Sequence, residues 1–110
     1  MGYYTRFEVS ATGFETEELA EFFVFKLNRQ SAYDFSVTVS GTSIAFDTDE
    51  IKWYEWETEL STLSRSFPGV TIYVEGHGEE QGDIWRARIR DGESEIVQAK
   101  MTFPDFERIT

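Results

Sequence analysis

The chain has 110 residues, of which 40% are apolar and 16% aromatic, and it contains no cysteine. This size predicts one domain over residues 1–110 with a ring-rich core, and the lack of cysteine excludes disulfides and thiolate metal sites. Twenty-one acidic residues against ten basic ones give a net charge of −11, which argues against direct binding to nucleic acid backbones or anionic membranes.

No apolar run approaches the ~20 residues that a transmembrane helix needs. The opening residues do not have the basic region and apolar stretch of a secretion signal. We therefore expect a soluble protein of the cytoplasm.

The chain begins with a segment that predicts a half-buried strand, because its side chains alternate between two faces. The residues on the predicted inner face are Tyr3, Thr5, Phe7 and Val9. Residues 15–30 then predict a helix, with glutamates at its start and Lys26 and Arg29 near its end, as the helix dipole favours. Its apolar stripe consists of Leu19, Phe22, Phe23 and Leu27. Phe25 does not fit this stripe, so we expect a broadly buried helix or one exposed ring.

Residues 34–47 alternate again around Gly41-Thr42, which predicts a hairpin, with one long bent strand as the alternative. A second helix is predicted to begin at Asp47 or Asp49, because Asp47 and Glu50 have the spacing of a capping box. Its apolar stripe is the clearest in the chain and consists of Trp53, Trp56, Leu60, Leu63 and Phe67.

Three further strands are predicted near residues 70–75, 83–90 and 94–103. The middle strand places Trp85, Ala87 and Ile89 on one face. Its other face carries Arg86, Arg88 and Arg90, for which Glu75 and Glu95 are expected cross-strand partners. Asp91-Gly92 is a strong signal for a two-residue hairpin into the last strand. That strand has Val97, Ala99, Met101 and Phe103 on one face.

This order of elements predicts an α+β fold with a mostly antiparallel sheet and two helices on one face. The first six elements match the ferredoxin-like βαββαβ order, which a C-terminal β-hairpin would extend.

The stretch EGHGEEQGD, residues 75–83, combines three glycines, four acids and the chain's one histidine. Its spacing does not match a calcium loop, and its acids would repel a phosphate. We interpret it as an exposed glycine-rich hairpin with His77 as an exposed loop residue. Because no catalytic, phosphate-binding or paired metal motif is present, we expect no enzyme activity, no cofactor and no metal site.

The acidic and aromatic segment DTDEIKWYEWETE, residues 47–59, is the most informative predicted surface. It predicts an acidic patch with an exposed Tyr54 ring that would fit a basic groove, with an ordinary solvated helix face as the alternative. Acids of the glycine-rich stretch would join it. The candidate partner-binding residues are Asp47, Asp49, Glu50, Tyr54, Glu55, Glu57, Glu59, Glu79, Glu80 and Asp83.

A longer pattern runs through the second half of the chain. Its parts are Lys52-Trp53-Tyr54, Leu63-Ser64, Phe67-Pro68, the segment from Gly76 to Trp85, and Asp91-Gly92. This pattern resembles one found in small proteins encoded by bacteriophages and prophages, in which an acid is expected where His77 stands. The resemblance implies a phage origin and the cytoplasm of a host cell as the location.

Such a setting implies a protein that acts by binding. We expect an inhibitor that docks an acidic face on a basic host protein, for example a nucleic-acid-binding defence complex such as a CRISPR effector. One alternative is a protein that sequesters a nucleotide-like signal through the glycine-rich stretch and the face of Arg86, Arg88 and Arg90. Another is a homo-oligomeric accessory protein that pairs through the edge of its final strand.

Overall fold

The computed structural model describes residues 3–80 and 82–99. The elements are β1 (Thr5–Thr12), α1 (Glu17–Gln30), β2 (Thr38–Ser40), β3 (Ser43–Ile51), α2 (Trp56–Ser64), β4 (Thr71–Gly78), β5 (Ile84–Arg90) and β6 (Glu93–Gln98). The six strands form one antiparallel sheet in the order β2-β3-β1-β4-β5-β6. The predicted α+β class is confirmed. Neither helix in the described ranges is long and apolar enough to cross a membrane.

The core is built largely from aromatic rings, as the composition predicts. Phe14, Phe23 and Phe67 pack edge to face, with ring centroids 5.2–5.9 Å apart. Phe35 stacks on Phe46 with a centroid distance of 4.6 Å. Buried rings remove large apolar areas from water, and edge-to-face packing adds a favourable electrostatic term.

Helix α1 begins after Thr16, whose hydroxyl accepts a hydrogen bond from the Leu19 backbone N–H at 3.1 Å. The predicted apolar stripe is only half right. Phe23 and Leu27 are buried together with Ala20, whereas Leu19 and Phe22 are exposed. These three buried positions share one side of the helix. The buried side of α1 is therefore narrower than the apolar stripe that the sequence predicts.

Both predicted hairpins are present, and the alternative of one long bent strand over residues 34–47 is wrong. Gly41-Thr42 joins β2 to β3, and Asp91-Gly92 joins β5 to β6. Asp91 and Gly92 have φ values of +51° and +82°, the conformation that matches the twist of a tight hairpin. The Gly92 N–H donates to the buried Ser64 hydroxyl at 2.8 Å, which attaches this turn to the end of α2.

The predicted start of the second helix at Asp47 or Asp49 is wrong, because β3 continues to Ile51. A bulge in β3 sets Thr48 and Asp49 against Phe7, and the Phe7 N–H donates to the Thr48 hydroxyl at 3.0 Å. Backbone pairing with β1 thus outweighs the local capping signal. Helix α2 begins at Trp56, so Trp53 packs in the core from outside the helix.

Strand β4 extends to Gly78, so half of the glycine-rich stretch belongs to the sheet. His77 is therefore not an exposed loop residue: its side chain is 25% exposed and lies on β4. Gly76 is buried, and a Cβ there would lie 2.1 Å from the Trp85 ring, so close packing explains this glycine. Met101 and Phe103 lie outside the described residues.

Candidate functional site

The sheet register brings two acidic segments together. Thr5 of β1 lies opposite Ile51 at the end of β3 and opposite Gly78 at the end of β4. Residues 47–50 therefore reach the same end of the sheet as residues 79–80 and 82–83, although about thirty positions of sequence separate them. We call this region the acidic end. Its carboxylates belong to Glu8, Asp47, Asp49, Glu50, Glu75, Glu79, Glu80 and Asp83.

Tyr3 connects the candidate residues at the acidic end. Its backbone N–H donates to the Tyr54 hydroxyl at 2.7 Å. Its own hydroxyl donates to the Asp83 carboxylate and accepts a hydrogen bond from the Glu80 N–H at 3.2 Å. The Asp83 carboxylate raises the pKa of the Tyr3 phenol, because ionisation would remove the donated proton beside a negative charge. Three predicted site residues thus contact Tyr3: Tyr54 at its backbone N–H, and Glu80 and Asp83 at its hydroxyl.

Glu79 is held next to this network. Its carboxylate accepts a hydrogen bond from the Tyr4 backbone N–H. The Lys52 ammonium lies 5.0 Å from the centroid of the Tyr4 ring, within the range of a cation–π contact. The exposed Tyr4 ring therefore already contacts a cation of the chain itself.

An aromatic pocket of about 320 Å³ opens beside Tyr3 and Tyr54. Trp56 and Trp85 stack in its wall with ring centroids 4.5 Å apart. The pocket is lined by Tyr3, Thr5, Phe7, Trp53, Tyr54, Trp56, Asp83, Trp85, Ile96 and Gln98. The faces of aromatic rings together with a nearby carboxylate recognise a cationic side chain. Here the carboxylate is that of Asp83, which the Tyr3 hydroxyl holds by a hydrogen bond. We call this site the aromatic pocket.

Three carboxylates of the acidic end form a row on the solvent face of the sheet. Asp47, Glu8 and Glu75 lie directly opposite one another across β3, β1 and β4. Like charges in this arrangement repel, so the row depends on nearby cations. Glu75 accepts from Arg86 Nε at 2.8 Å and contacts His77 Nε2 at 2.7 Å. Arg86 first and His77 second lower the pKa of the Glu75 carboxyl.

Glu8, Glu75 and His77 also place three possible metal ligands within 4.8 Å of one another. Two carboxylates and one imidazole suit a divalent transition metal ion. The Glu75 carboxylate, however, already contacts both Arg86 and His77, so a metal ion would compete with Arg86 for it. The cluster lies beside a groove of about 610 Å³ that also reaches Asp47.

Two acids of α2 that were predicted to bind a partner form hydrogen bonds within the protein. The Glu59 carboxylate accepts from the Trp53 indole N–H at 2.9 Å, and Glu57 accepts from the Ser94 hydroxyl. Both side chains are half-buried, while Glu55 is exposed. Tyr54 is 60% exposed, which confirms the predicted exposed ring. The exposed residues among these candidates therefore lie mainly at the acidic end and not along α2.

The arginines of β5 pair with acids across the sheet. Arg86 contacts Glu75 and Arg88 contacts Glu95, which confirms both predicted partners. Arg90 Nε lies 3.8 Å from the Asp91 carboxylate. Each arginine thus has an acidic neighbour that would compete with a phosphate for its guanidinium. This arrangement gives little support to a nucleotide site on the face of β5.

Three residues at the acidic end, Tyr3, Glu8 and Glu75, are not among the predicted partner-binding residues. Tyr3 is predicted only on one face of the first strand, and Glu75 only as a cross-strand partner for the arginines of β5. The alternation of β1 does place Glu8 on the solvent face. Its proximity to Asp47 and Glu75 depends on the register of three strands, which no local pattern of β1 encodes.

No family model, curated protein sequence or solved structure matches the chain. The resemblance to phage-encoded proteins stays a prediction. Function must therefore follow from the chemistry of the acidic end and the aromatic pocket.

Proposed function

We propose that this protein acts by binding and docks its acidic end onto a basic surface of a nucleic-acid-handling host protein, which it inhibits. The observation that carries this proposal is the convergence of Tyr54, Glu80 and Asp83 on Tyr3 at the mouth of the aromatic pocket. A lysine or arginine of the partner enters the pocket and lies against the rings near Asp83. The surrounding acids contact basic residues that otherwise bind phosphates.

Electrostatics support this kind of partner. A net charge of −11 on 110 residues attracts a basic surface over long distances and speeds encounter. The attraction weakens with salt, because the screening length falls to roughly 10 Å at 0.1 M ionic strength. The phage resemblance supports a host defence complex, such as a CRISPR effector, as the partner class. An inhibitor of this kind blocks nucleic acid binding by occupying the basic groove.

We also infer that β1 to β4 and the two helices form a ferredoxin-like βαββαβ core, with both helices on one face. The antiparallel order β2-β3-β1-β4 supports this inference, because it is the strand order of that fold. Rings of α1 and of the segment after α2 pack together, as Phe23 and Phe67 do. In this arrangement β5 and β6 extend the core. Trp85 of β5 and Asp83 of the loop before it line the aromatic pocket.

The first test is affinity capture from a bacterial host lysate with tagged protein, at low and high salt, read by mass spectrometry. We expect a basic nucleic-acid-binding protein that is retained at low salt and released at high salt. The captured protein is then purified, and its binding to labelled nucleic acid is measured by fluorescence anisotropy. Addition of the chain should displace the nucleic acid.

A matched pair of variants tests whether the acidic end causes the displacement of nucleic acid. Glu79→Gln/Glu80→Gln removes two charges at the site, and Glu15→Gln/Asp34→Asn removes two exposed charges elsewhere. We expect the first variant to inhibit about tenfold more weakly and the second to change inhibition far less. Equal effects of the two variants, or no displacement by the unmodified chain, would contradict the proposal.

The aromatic pocket has an independent test that needs no identified partner. Because Trp56 and Trp85 line the pocket, an oligo-arginine peptide that enters it should change the intrinsic tryptophan fluorescence. The unmodified chain and the two charge variants are titrated with this peptide at constant salt. We expect weaker binding only for Glu79→Gln/Glu80→Gln. A fluorescence signal that does not change with the peptide would count against cation binding in this pocket.

A further inference from the structure

Helix α1 leaves two aromatic rings partly exposed, and one of them, Phe22, also contacts the core ring of Phe67 at a centroid distance of 6.0 Å. Phe22 is 49% exposed and Phe25 is 55% exposed. Their rings stack with centroids 6.4 Å apart and planes 14° apart. The buried residues of the same helix, Phe23 and Leu27 among them, lie on the opposite side. Exposed neighbouring aromatic rings are typical of contact surfaces between proteins.

Opposite charges flank these rings on the same stripe. Glu18 lies one turn before Phe22, and Arg29 lies one turn after Phe25. Both charged residues are exposed. Glu18 and Arg29 are equally far from the midpoint of the stripe, between residues 23 and 24, and so are Phe22 and Phe25. The stripe is therefore acidic at one end, aromatic in the middle and basic at the other end.

Such a stripe is complementary to its own reversed copy. When two α1 helices pack antiparallel about a two-fold axis at the stripe midpoint, Glu18 of each copy lies opposite Arg29 of the other. The rings of Phe22 and Phe25 from both copies then meet between these two charge pairs. A parallel arrangement would place like charges together. The charges therefore favour a second copy of the chain as the partner and an antiparallel orientation of the two helices.

We propose that α1 is a self-association surface whose occupant is a second copy of this chain, packed antiparallel through Phe22 and Phe25. The surface uses residues outside the acidic end, so the inference does not depend on the proposed function. It differs from pairing through the edge of the final strand, because the contact is between helices.

Two basic side chains of α1 shield the exposed rings in a single copy of the chain. Lys26 Nζ lies 5.4 Å from the centroid of Phe22, and the Arg29 guanidinium lies 5.5 Å from that of Phe25. Their apolar stems cover part of each ring in the free chain. One helix face is small compared with the surface of a stable dimer, about 800 Å² per partner. Association is therefore reversible and depends on concentration.

The test is sedimentation velocity over a concentration series at about 0.1 M salt, which screens the repulsion between two copies of net charge −11. The unmodified chain should shift from monomer towards dimer as its concentration rises. Glu18→Arg makes both ends of the stripe basic, and Arg29→Glu makes both ends acidic. Each variant alone should associate about tenfold more weakly, because two attractive pairs become repulsive. An equal mixture of the two variants should form a mixed dimer, because the basic stripe then faces the acidic one.

Asp34→Arg is the matched control, because it makes the same charge change as Glu18→Arg at an exposed position outside α1. Circular dichroism checks that every variant keeps its secondary structure. A chain that stays monomeric at all concentrations overturns the proposal. Association that neither charge reversal weakens, or a mixture of the two variants that stays monomeric, overturns it as well.

Discussion

The Tyr3 hydroxyl donates a hydrogen bond to the carboxylate of Asp83, which lies 80 residues further along the chain. This contact joins the start of the sheet to the loop between β4 and β5. It also positions the two groups that stand at the mouth of the aromatic pocket. The geometry of the proposed site therefore depends on a long-range contact between a phenol and a carboxylate.

Asp83→Ala should lower the pKa of Tyr3 towards its ordinary value of 10.0, because the carboxylate that opposes ionisation is removed. The folded pKa of Tyr3 lies above the unfolded value. The contact therefore stabilises the fold below about pH 10 and is lost as pH rises through the folded pKa. An ultraviolet titration of the tyrosines measures this shift, with Asp34→Ala as the control. Identical titration curves for both variants would contradict the assigned contact.

Gly76→Ala should destabilise the fold by about 1–3 kcal/mol, because the new methyl group would overlap the Trp85 ring. Urea denaturation measures the change in the free energy of unfolding. The same substitution in a Trp85→Leu background should cost less, since the ring that blocks the methyl group is gone. An equal cost in both backgrounds would mean that Trp85 is not the cause.

Arg86→Gln should raise the pKa of Glu75 towards the ordinary glutamate value, because Arg86 makes the largest contribution to its lowering. A lowered folded pKa stabilises the fold above the unfolded pKa of about 4.3, and this stability is lost as pH falls through the folded pKa. Carbon-detected NMR of the Glu75 carboxyl measures the pKa directly. Arg90→Gln is the control, because Arg90 contacts Asp91 instead. If Glu75 titrates at the same pH in both variants, the ion pair does not determine its pKa.

Two neighbouring rings of α1 should respond very differently to truncation. Phe23→Ala should cost about 3–5 kcal/mol, because Phe23 is fully buried. Phe25→Ala should change stability by roughly 0.5 kcal/mol or less, since its ring is exposed. Denaturation at low protein concentration keeps self-association out of the comparison. Similar costs for the two variants would contradict the described orientation of α1.

Several features follow from the sequence alone because they depend on neighbouring residues. The alternation of Ala87 and Ile89 with the arginines of β5 predicts which face is buried. Asp91-Gly92 predicts a tight hairpin, because those residue types adopt the positive φ values that it needs. The pairs Arg86–Glu75 and Arg88–Glu95 follow once neighbouring strands are assumed.

Other features were decided only by the tertiary structure. Asp47 and Glu50 have helix-capping spacing, yet they belong to β3, because pairing with β1 satisfies more backbone groups than a cap does. Phe22 fits the helical stripe, yet its ring stays 49% exposed beside Phe67, because the core covers mainly the side of α1 that carries Phe23. Local patterns do not specify how far a strand pairs or which helix face is covered.

The candidate site, too, follows in part from the sequence and in part only from the tertiary structure. Composition and local pattern identified an acidic surface, an exposed Tyr54 and most of the carboxylates that belong to the acidic end. The placement of residues 47–50 at the same end of the sheet as residues 79–80 and 82–83 came from strand register. Register is fixed by the simultaneous burial of apolar faces and the pairing of backbone groups across several strands, and these are properties of the whole sheet.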